Sequence, residues 1–230
     1  MQGDNIKATK YRCRVTIDMR LKKKAFEVTK NRQIMYNVFT EKSVKTNFDL
    51  QKGLKTMNMI YTYHYNSPLG GITLSSNGTE LTGLWFDGQK HFGDNLPKEC
   101  EEKNLPIFEE SVRWLDIYFS GKAPDFTPPL CIQTTPFRKS VCEILLTIPF
   151  GKTMTYGEIA DKIAKQKGIS KMSAQAVGGA VGHNSVSIII PCHRVVGTDG
   201  SLTGYAGGIE KKIQLLTLEK ADMSAFFVPK

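Results

Sequence analysis

The stretch SIIIPCHRVVG, residues 187–197, joins a short apolar run to three chemically active side chains. The isoleucine run predicts a buried strand, and Pro191 ends it because proline cannot donate to a sheet ladder. Cys192, His193 and Arg194 follow directly, and a core strand has no use for such a trio. An adjacent imidazole and a positive charge favour the thiolate form of a cysteine. The stretch therefore predicts a strand that presents Cys192 as a candidate nucleophile.

The other cysteines and the histidines show no pattern typical of a metal site or a disulfide framework. The 5 cysteines include no CxxC pair, and the 4 histidines have no paired spacing, so we expect neither a metal nor a cofactor. The remaining cysteines are interpreted as inert small hydrophobic residues: Cys13, Cys100, Cys131 and Cys142. From these residues alone an inert Cys192 also stays open, because a Cys-His dipeptide is common.

Two short helices are predicted directly upstream of the quoted stretch. Thr155 and Glu158 have the spacing of a capping box, in which each side chain satisfies a backbone donor at a helix start. SAQAVGGAVGHN, residues 173–184, then predicts a helix of very small side chains. The pair suggests a helix-turn-helix, although a close crossing of two helices would need the same small residues. Glycine costs about 1 kcal/mol in a helix, so the three glycines imply that DNA or another part of the chain approaches this backbone.

Further from the motif, the chain divides into four segments. Residues 1–57 predict a basic, partly ordered extension, with a solvated or artefactual leader as the alternative. In residues 58–121, β-forming runs between glycine turns predict three antiparallel strands, and FEESVRWLDIYFSG predicts a helix. Residues 122–134 read as a proline-rich linker, and residues 135–230 as a mostly helical domain. The predicted fold class is α+β, a small antiparallel-sheet domain followed by a helix-turn-helix domain.

The net charge of +9 is unevenly distributed along the chain. Residues 1–57 hold 14 Lys and Arg against 5 Asp and Glu, whereas residues 58–230 hold 17 of each. Residues 122–230 hold 13 basic and 8 acidic side chains, so we expect this part to face a polyanion. The chain has neither an apolar run of about 18 residues nor the apolar stretch of a signal peptide. We therefore predict a soluble, cytoplasmic protein with no membrane partner.

Several motifs together resemble a known family. IPCHRVVG, TGYAGG and KKIQLLTLE, preceded by FGKTMTYGEIA and AVGGAVGHN, are similar to the O6-alkylguanine-DNA alkyltransferases, also called methylated-DNA-protein-cysteine methyltransferases. SPLGGITL and LTGLWF extend the resemblance, which covers about 58–222. It implies a ribonuclease H-like N-terminal domain and a winged helix-turn-helix C-terminal domain. It also implies DNA repair by a monomer that irreversibly transfers an alkyl group from O6 of guanine, or O4 of thymine, in duplex DNA to its own cysteine.

The resemblance implies a role for each matching catalytic position. Cys192 matches the nucleophile, His193 a base that acts through a water, and Glu219 the carboxylate that orients the histidine. Tyr156 matches the proton donor to the ring nitrogen beside O6. Asn184 matches the hinge residue that holds the backbone beside Cys192. In a eukaryote the same function implies a nuclear location.

The remaining matching positions form a predicted DNA and base site. A flipped base needs a pocket, and small side chains let a helix enter the minor groove. Backbone N–H groups of Val195 and Ala206 are expected to assist at O6. Gln175 stands where the family commonly has an arginine, which implies weaker DNA binding. The predicted contacts are Ala174, Gln175, Ala176, Gly179, Val195, Tyr205, Ala206, Gly207 and Gly208.

Two other functions stay open at this point. A non-catalytic protein of the same fold would bind alkylated DNA without transfer, although such relatives replace the reactive cysteine. A transcriptional helix-turn-helix regulator would bind the major groove at one sequence. The small-residue helix argues against it, because it offers few side chains that read bases.

Overall fold

The computed structural model describes residues 59–229, and the predicted basic extension at 1–57 lies outside them. The domain boundaries at 121 and 134 stay predictions. Two 3₁₀ turns lie at Cys192–Arg194 and Met223–Ala225. In chain order the strands and helices are β1 (Ile60–Ser67), β2 (Gly70–Ser76), β3 (Leu81–Phe86), β4 (Cys100–Glu102), α1 (Pro106–Phe119), α2 (Pro136–Leu145), β5 (Met154–Thr155), α3 (Tyr156–Lys167), α4 (Ala174–Gly182), β6 (Val195–Val196) and α5 (Ile209–Leu218).

The N-terminal part is a four-stranded sheet in the order β3-β2-β1-β4. The three predicted antiparallel strands are confirmed as β1, β2 and β3. A fourth strand, β4, pairs parallel with β1 at the edge. Its exposed sequence, CEE, has no strand pattern, and only its pairing partner makes it a strand. Alternation along β2 buries Ile72 and Leu74 in the core that α1 shares.

The helix predicted in FEESVRWLDIYFSG is confirmed as α1. Phe108 and Leu115 are buried, whereas Val112, at the same helical spacing, is only half-buried. Trp114 and Tyr118 fill the buried face instead and stack with ring centroids 5.3 Å apart. The helix therefore turns its aromatic side towards the helical part of the chain.

Helices α2, α3 and α4 begin at residues whose side chains cap them, and α3 ends at a glycine. The Thr135 hydroxyl accepts from the backbone N–H of Arg138 before α2. Thr155 and Glu158 form both bonds of a capping box before α3, and Gly168 ends α3 in the left-handed conformation at φ 64°. Helices α3 and α4 pack against each other as the predicted helix-turn-helix, beside the parallel pair β5–β6. The predicted α+β class is confirmed.

The prediction of a strand in the quoted stretch is wrong. A single bridge pairs Val186 with Leu84 of β3, and the chain then turns, with Ile188 in the left-handed region at φ 68°. The Asn184 side-chain amide binds the carbonyl oxygens of both Val186 and Ile190, which draws the two ends of the turn together. An apolar run of four residues is compatible with either a strand or a buried turn.

The capping box gives a stability test. Thr155→Ala removes the acceptor for the Glu158 N–H at 3.1 Å, so we expect the free energy of unfolding to fall by about 1 kcal/mol. Urea denaturation of both proteins measures the loss. Thr134→Ala is the matched control, because that exposed threonine makes no side-chain hydrogen bond in the described part of the chain. Equal losses in the two variants would contradict the assignment of the cap.

Candidate active site

Cys192 begins the 3₁₀ turn that follows Pro191 and is 3% exposed. Burial raises the pKa of its thiol, while a hydrogen bond from Asn184 and the charge of Lys212 partly offset the shift. The Asn184 Nδ2 atom lies 3.1 Å from the sulfur. The thiol is therefore protonated at neutral pH, in a site that nevertheless offers its anion a donor and a cation.

Asn184 holds the turn that carries the cysteine. Its Nδ2 donates to the carbonyl oxygens of Ile190 at 2.8 Å and Val186 at 3.2 Å. Its Oδ1 accepts from the Val186 N–H at 3.0 Å. The side chain thus fixes the backbone on both sides of Ile188 and reaches the Cys192 sulfur. The hinge role that the resemblance implies for Asn184 stays a prediction.

His193 is fully buried against Glu219, with Nε2 2.7 Å from Oε1. A carboxylate only accepts, so we assign the ring proton to Nε2, which leaves a lone pair on Nδ1. That Nδ1 atom is buried and has no hydrogen-bond partner among residues 59–229. Burial lowers the pKa of His193, although Glu219 partly opposes the shift. The ring is therefore neutral at pH 7 and has one nitrogen able to take a proton.

Glu219 is the centre of a buried hydrogen-bond network. Arg194 donates from Nε to Oε2 at 2.8 Å and from Nη2 to Oε1 at 3.0 Å. The Tyr118 hydroxyl donates to Oε1 at 2.8 Å, and the Gly151 N–H donates to Oε2 at 3.0 Å. Burial alone would raise the pKa of Glu219, but His193 and Arg194 more than offset it and lower it to about 2. The carboxylate therefore stays ionised at neutral pH.

The structure corrects the role expected for Arg194. Its guanidinium binds Glu219 and the carbonyl oxygen of Ile148, so its charge serves the carboxylate. The cation that favours the Cys192 thiolate is Lys212, which the sequence reasoning missed. A signal was available, because Lys212 lies on the same face of α5 as Leu215 and Leu216, where a lysine is unusual.

Lys212 is 0% exposed. Its Nζ donates to the carbonyl oxygens of Val195 at 2.6 Å and Thr203 at 2.7 Å. Burial lowers the pKa of this ammonium group to about 8, although the Cys192 anion opposes the shift. The lysine therefore joins α5, β6 and the 203–208 loop beside the thiol.

Tyr118 is the other group that the sequence reasoning missed. It comes from α1, in the N-terminal part, and its hydroxyl also lies 3.3 Å from Nε2 of His193. Burial and the Glu219 charge raise its pKa well above the ordinary value, so it stays a donor. Tyr118 follows Trp114 by four residues, which indicated a shared buried face of the helix. No neighbouring residue indicated that its hydrogen-bond partner is Glu219.

Three of the predicted base-site residues, Tyr156, Val195 and Tyr205, lie close to the same thiol. The Tyr156 hydroxyl donates to the carbonyl oxygen of Thr203 at 3.1 Å, and the Tyr205 ring lies edge-on to His193 at 6.4 Å. Gly208 has φ 94° and is the residue directly before α5. The expected donor role of Val195 conflicts with the structure, because its N–H donates to the Cys192 carbonyl oxygen inside the 3₁₀ turn.

Four of the predicted DNA contacts, Ala174, Gln175, Ala176 and Gly179, are exposed on α4. Ala174, Gln175 and Ala176 are exposed in its first turn, and Ser173 caps it. A Cβ placed on Gly179 would have no atom within 4 Å, so this side of the helix is open to a ligand. Gly178, by contrast, lies against the Tyr156 ring, which places α4 directly beside the thiol site.

Among residues 59–229, no group of three or more His, Cys, Asp or Glu side chains is arranged to hold a metal ion. No helix there has the length and apolar character needed to cross a membrane.

Comparison with known proteins gives consistent matches. Residues 59–132 match the family described as "6-O-methylguanine DNA methyltransferase, ribonuclease-like domain" and residues 136–221 the corresponding "DNA binding domain". A methylated-DNA--protein-cysteine methyltransferase of Mycobacterium bovis is 42% identical over 173 residues, which cover 73% of this chain and 99% of the relative. A protein of the same name from Methanosarcina barkeri is 44% identical over 158 residues, 68% of this chain and 95% of the relative.

A solved structure agrees with these matches. The crystal structure of Mycobacterium tuberculosis OGT in complex with DNA is similar at a TM-score of 0.60 and 41% identity, covering 70% of this chain and 92% of that chain. Both domain matches occur in the order expected from the motifs, and the relatives are matched over nearly their whole length. The chain that holds a buried thiol beside a carboxylate-bound histidine therefore belongs to the 6-O-methylguanine DNA methyltransferase family.

Proposed function

We propose that this protein repairs DNA directly, by moving a methyl or larger alkyl group from O6 of guanine to Cys192 in a single irreversible step. The observation that carries the proposal is the buried thiol beside His193, whose Nδ1 is its one nitrogen free to take a proton. The relatives named above as methylated-DNA--protein-cysteine methyltransferases support the same activity. O4 of thymine is a second substrate atom of the same chemistry.

In the proposed reaction the thiol proton passes through a water to Nδ1 of His193. The sulfur attacks the alkyl carbon, a carbon–sulfur bond forms, and the carbon–O6 bond breaks with its electron pair leaving on guanine. Tyr156 donates its hydroxyl proton to the ring nitrogen beside O6, so guanine leaves neutral. The Lys212 charge and the Asn184 amide stabilise the developing thiolate. The thioether formed has no good leaving group, so each molecule reacts once.

The target base has to leave the duplex to reach this thiol, because Cys192 is buried. Extrusion of a base costs a few kcal/mol. Helix α4 fits the minor groove in this proposal, since its exposed first turn and the open side at Gly179 carry only small groups besides Gln175. Gln175 fills the gap left by the base, and Tyr205, Gly207 and Gly208 close over the base itself.

A monomer suffices for this chemistry. The groups that surround the thiol, Asn184, His193, Lys212 and Glu219, all come from one chain. We propose that the protein acts as a monomer, in the cytoplasm, or in the nucleus of a eukaryote. The alternative of a non-catalytic damage binder has less support, because it would not need a thiol with a base and a cation beside it.

The first prediction concerns the product. Incubation with duplex DNA containing O6-methylguanine should add 14 Da, one methylene, to the peptide that bears Cys192, at one adduct per protein molecule. Mass spectrometry of the digested protein locates and counts the adduct.

Two variants sharpen this measurement. Cys192→Ala should bind the DNA and transfer nothing, whereas Cys100→Ser, at an exposed cysteine, should react like the parent protein. A folded parent protein that binds the methylated duplex for hours without forming an adduct would favour the non-catalytic alternative. Transfer by Cys192→Ala would refute the assigned nucleophile.

The second prediction concerns pH. Glu219→Gln should lower the single-turnover rate at pH 7 by about 10- to 100-fold, because the His193 base loses the charge that orients it. The thiol pKa lies above its ordinary value of 9.0, so rising pH forms thiolate without the base. We therefore expect the deficit of the variant to shrink between pH 7 and pH 10 in rapid-quench kinetics.

The ratio of the parent and Glu219→Gln rates at each pH cancels the effect of other groups that titrate in both proteins. Lys212, with a pKa of about 8, loses its charge over this range in both proteins alike. Thermal melting identifies a variant that is merely unfolded, and Tyr118→Phe offers a milder change that removes one hydrogen bond to the carboxylate. A constant rate ratio across the pH range would show that Glu219 does not act through the base.

The third prediction concerns DNA affinity. Gln175→Arg adds a cation to the exposed first turn of α4 and should tighten binding to duplex DNA by about 3- to 10-fold at low salt, with the gain falling as salt rises. Fluorescence anisotropy measures it. Gln214→Arg places the same charge on an exposed position of α5 and should change affinity little. An equal gain in both variants would show a general charge effect and no specific role for position 175.

A further inference from the structure

Gln89 connects the N-terminal sheet domain to the turn that carries the thiol. It follows β3 and is 7% exposed. Its Oε1 atom accepts from the Phe86 N–H at 2.9 Å and from the Ser187 hydroxyl at 3.2 Å. The second bond reaches the turn that ends at Cys192. The side chain therefore links two parts of the chain that are almost a hundred residues apart in sequence.

The orientation of the Gln89 amide is unambiguous. A backbone N–H only donates, so the atom that faces the Phe86 N–H must be the oxygen. Nε2 is then a buried donor with no partner in the described part of the chain. A buried donor without a partner is costly, and an apolar side chain would avoid that cost. The presence of an amide at position 89 therefore indicates that its carbonyl oxygen is needed as a hydrogen-bond acceptor.

The 205–208 loop lies next to this turn and close to the Cys192 thiol. Burial and the Cys192 anion raise the pKa of Tyr205 well above its ordinary value, and the neighbouring Ser187 hydroxyl partly opposes the shift. The Lys90 N–H, next to Gln89, donates to the Ala206 carbonyl oxygen at 3.0 Å. Residues 86–90 thus hold both Ser187 and the 205–208 loop, which together we call the pocket wall.

We propose that Gln89 is a positioning residue for alkyl transfer, which fixes the pocket wall around Cys192 through its side-chain oxygen. The inference rests on the proposed function and adds a contribution of the N-terminal domain to the chemical step. Within the described residues Gln89 forms its hydrogen bonds with Phe86 and Ser187 and none with the exposed first turn of α4, so the DNA affinity that α4 supplies should not depend on it. Loss of the oxygen should slow the transfer step within the bound complex and leave the DNA affinity nearly unchanged.

The test separates binding from transfer. Gln89→Met keeps the length of the side chain and removes the acceptor. With duplex DNA containing O6-methylguanine, its saturating single-turnover rate should fall about tenfold, the change expected for one lost positioning hydrogen bond. Its apparent Kd for the same duplex should stay within about twofold of the parent value. Gln89→Glu keeps an oxygen for both donors and should restore most of the rate.

Two further variants keep the test decisive. Gln133→Met makes the same change at an exposed glutamine with no side-chain hydrogen bond in the described residues, and should react like the parent. Ser187→Ala removes the other partner and should slow transfer a few-fold. In the double variant the two losses of rate should be less than additive, because both substitutions remove the same hydrogen bond. Ser187→Ala supplies the answer if Gln89→Met does not fold.

Four outcomes would overturn the inference. They are a parent-like saturating rate in Gln89→Met, a loss that lies wholly in Kd, equal loss in Gln89→Met and Gln89→Glu, or full additivity with Ser187→Ala. Failure of the parent protein to form any adduct speaks against the proposed function instead. The two failures are therefore distinguishable in one set of experiments.

Discussion

The site depends on one buried negative charge, that of Glu219. An isolated carboxylate in an apolar interior would take up a proton, and this one stays ionised because Arg194, His193, Tyr118 and a backbone N–H all donate to it. The charge in turn selects the His193 tautomer and so leaves Nδ1 as a base. Removing one partner of such a buried pair costs about 3–5 kcal/mol, so fold and chemistry share the same interaction.

The N-terminal domain takes part in this site and does more than cover it. Tyr118 reaches Glu219 from α1, and Leu84 of β3 pairs with the turn that precedes the cysteine. A helix-turn-helix domain alone would leave the carboxylate one donor short and the 185–187 backbone without its bridge. The N-terminal domain therefore supplies hydrogen bonds to the site itself, in addition to any contribution to stability.

Local signals were sufficient for much of the fold. The capping box of Thr155 and Glu158 depends on neighbours within a few residues, so the sequence predicted it correctly. The strand predicted at 187–190 failed because its conformation depends on Asn184 and on β3, and periodicity cannot distinguish a buried turn from a strand. The role of Arg194 was misassigned and those of Tyr118 and Lys212 were missed for the same reason, because the partners of these side chains lie far along the chain.

The carbonyl oxygen of Thr203 accepts two donors at once, the Tyr156 hydroxyl and the Lys212 ammonium. A carbonyl oxygen has two lone pairs, so both bonds can coexist. In the proposed reaction Tyr156 turns towards the base, and the lysine then remains as a partner of the carbonyl oxygen. In that proposal the tyrosine exchanges one acceptor for another without leaving a buried polar atom unpaired, so its proton becomes available at little cost in free energy.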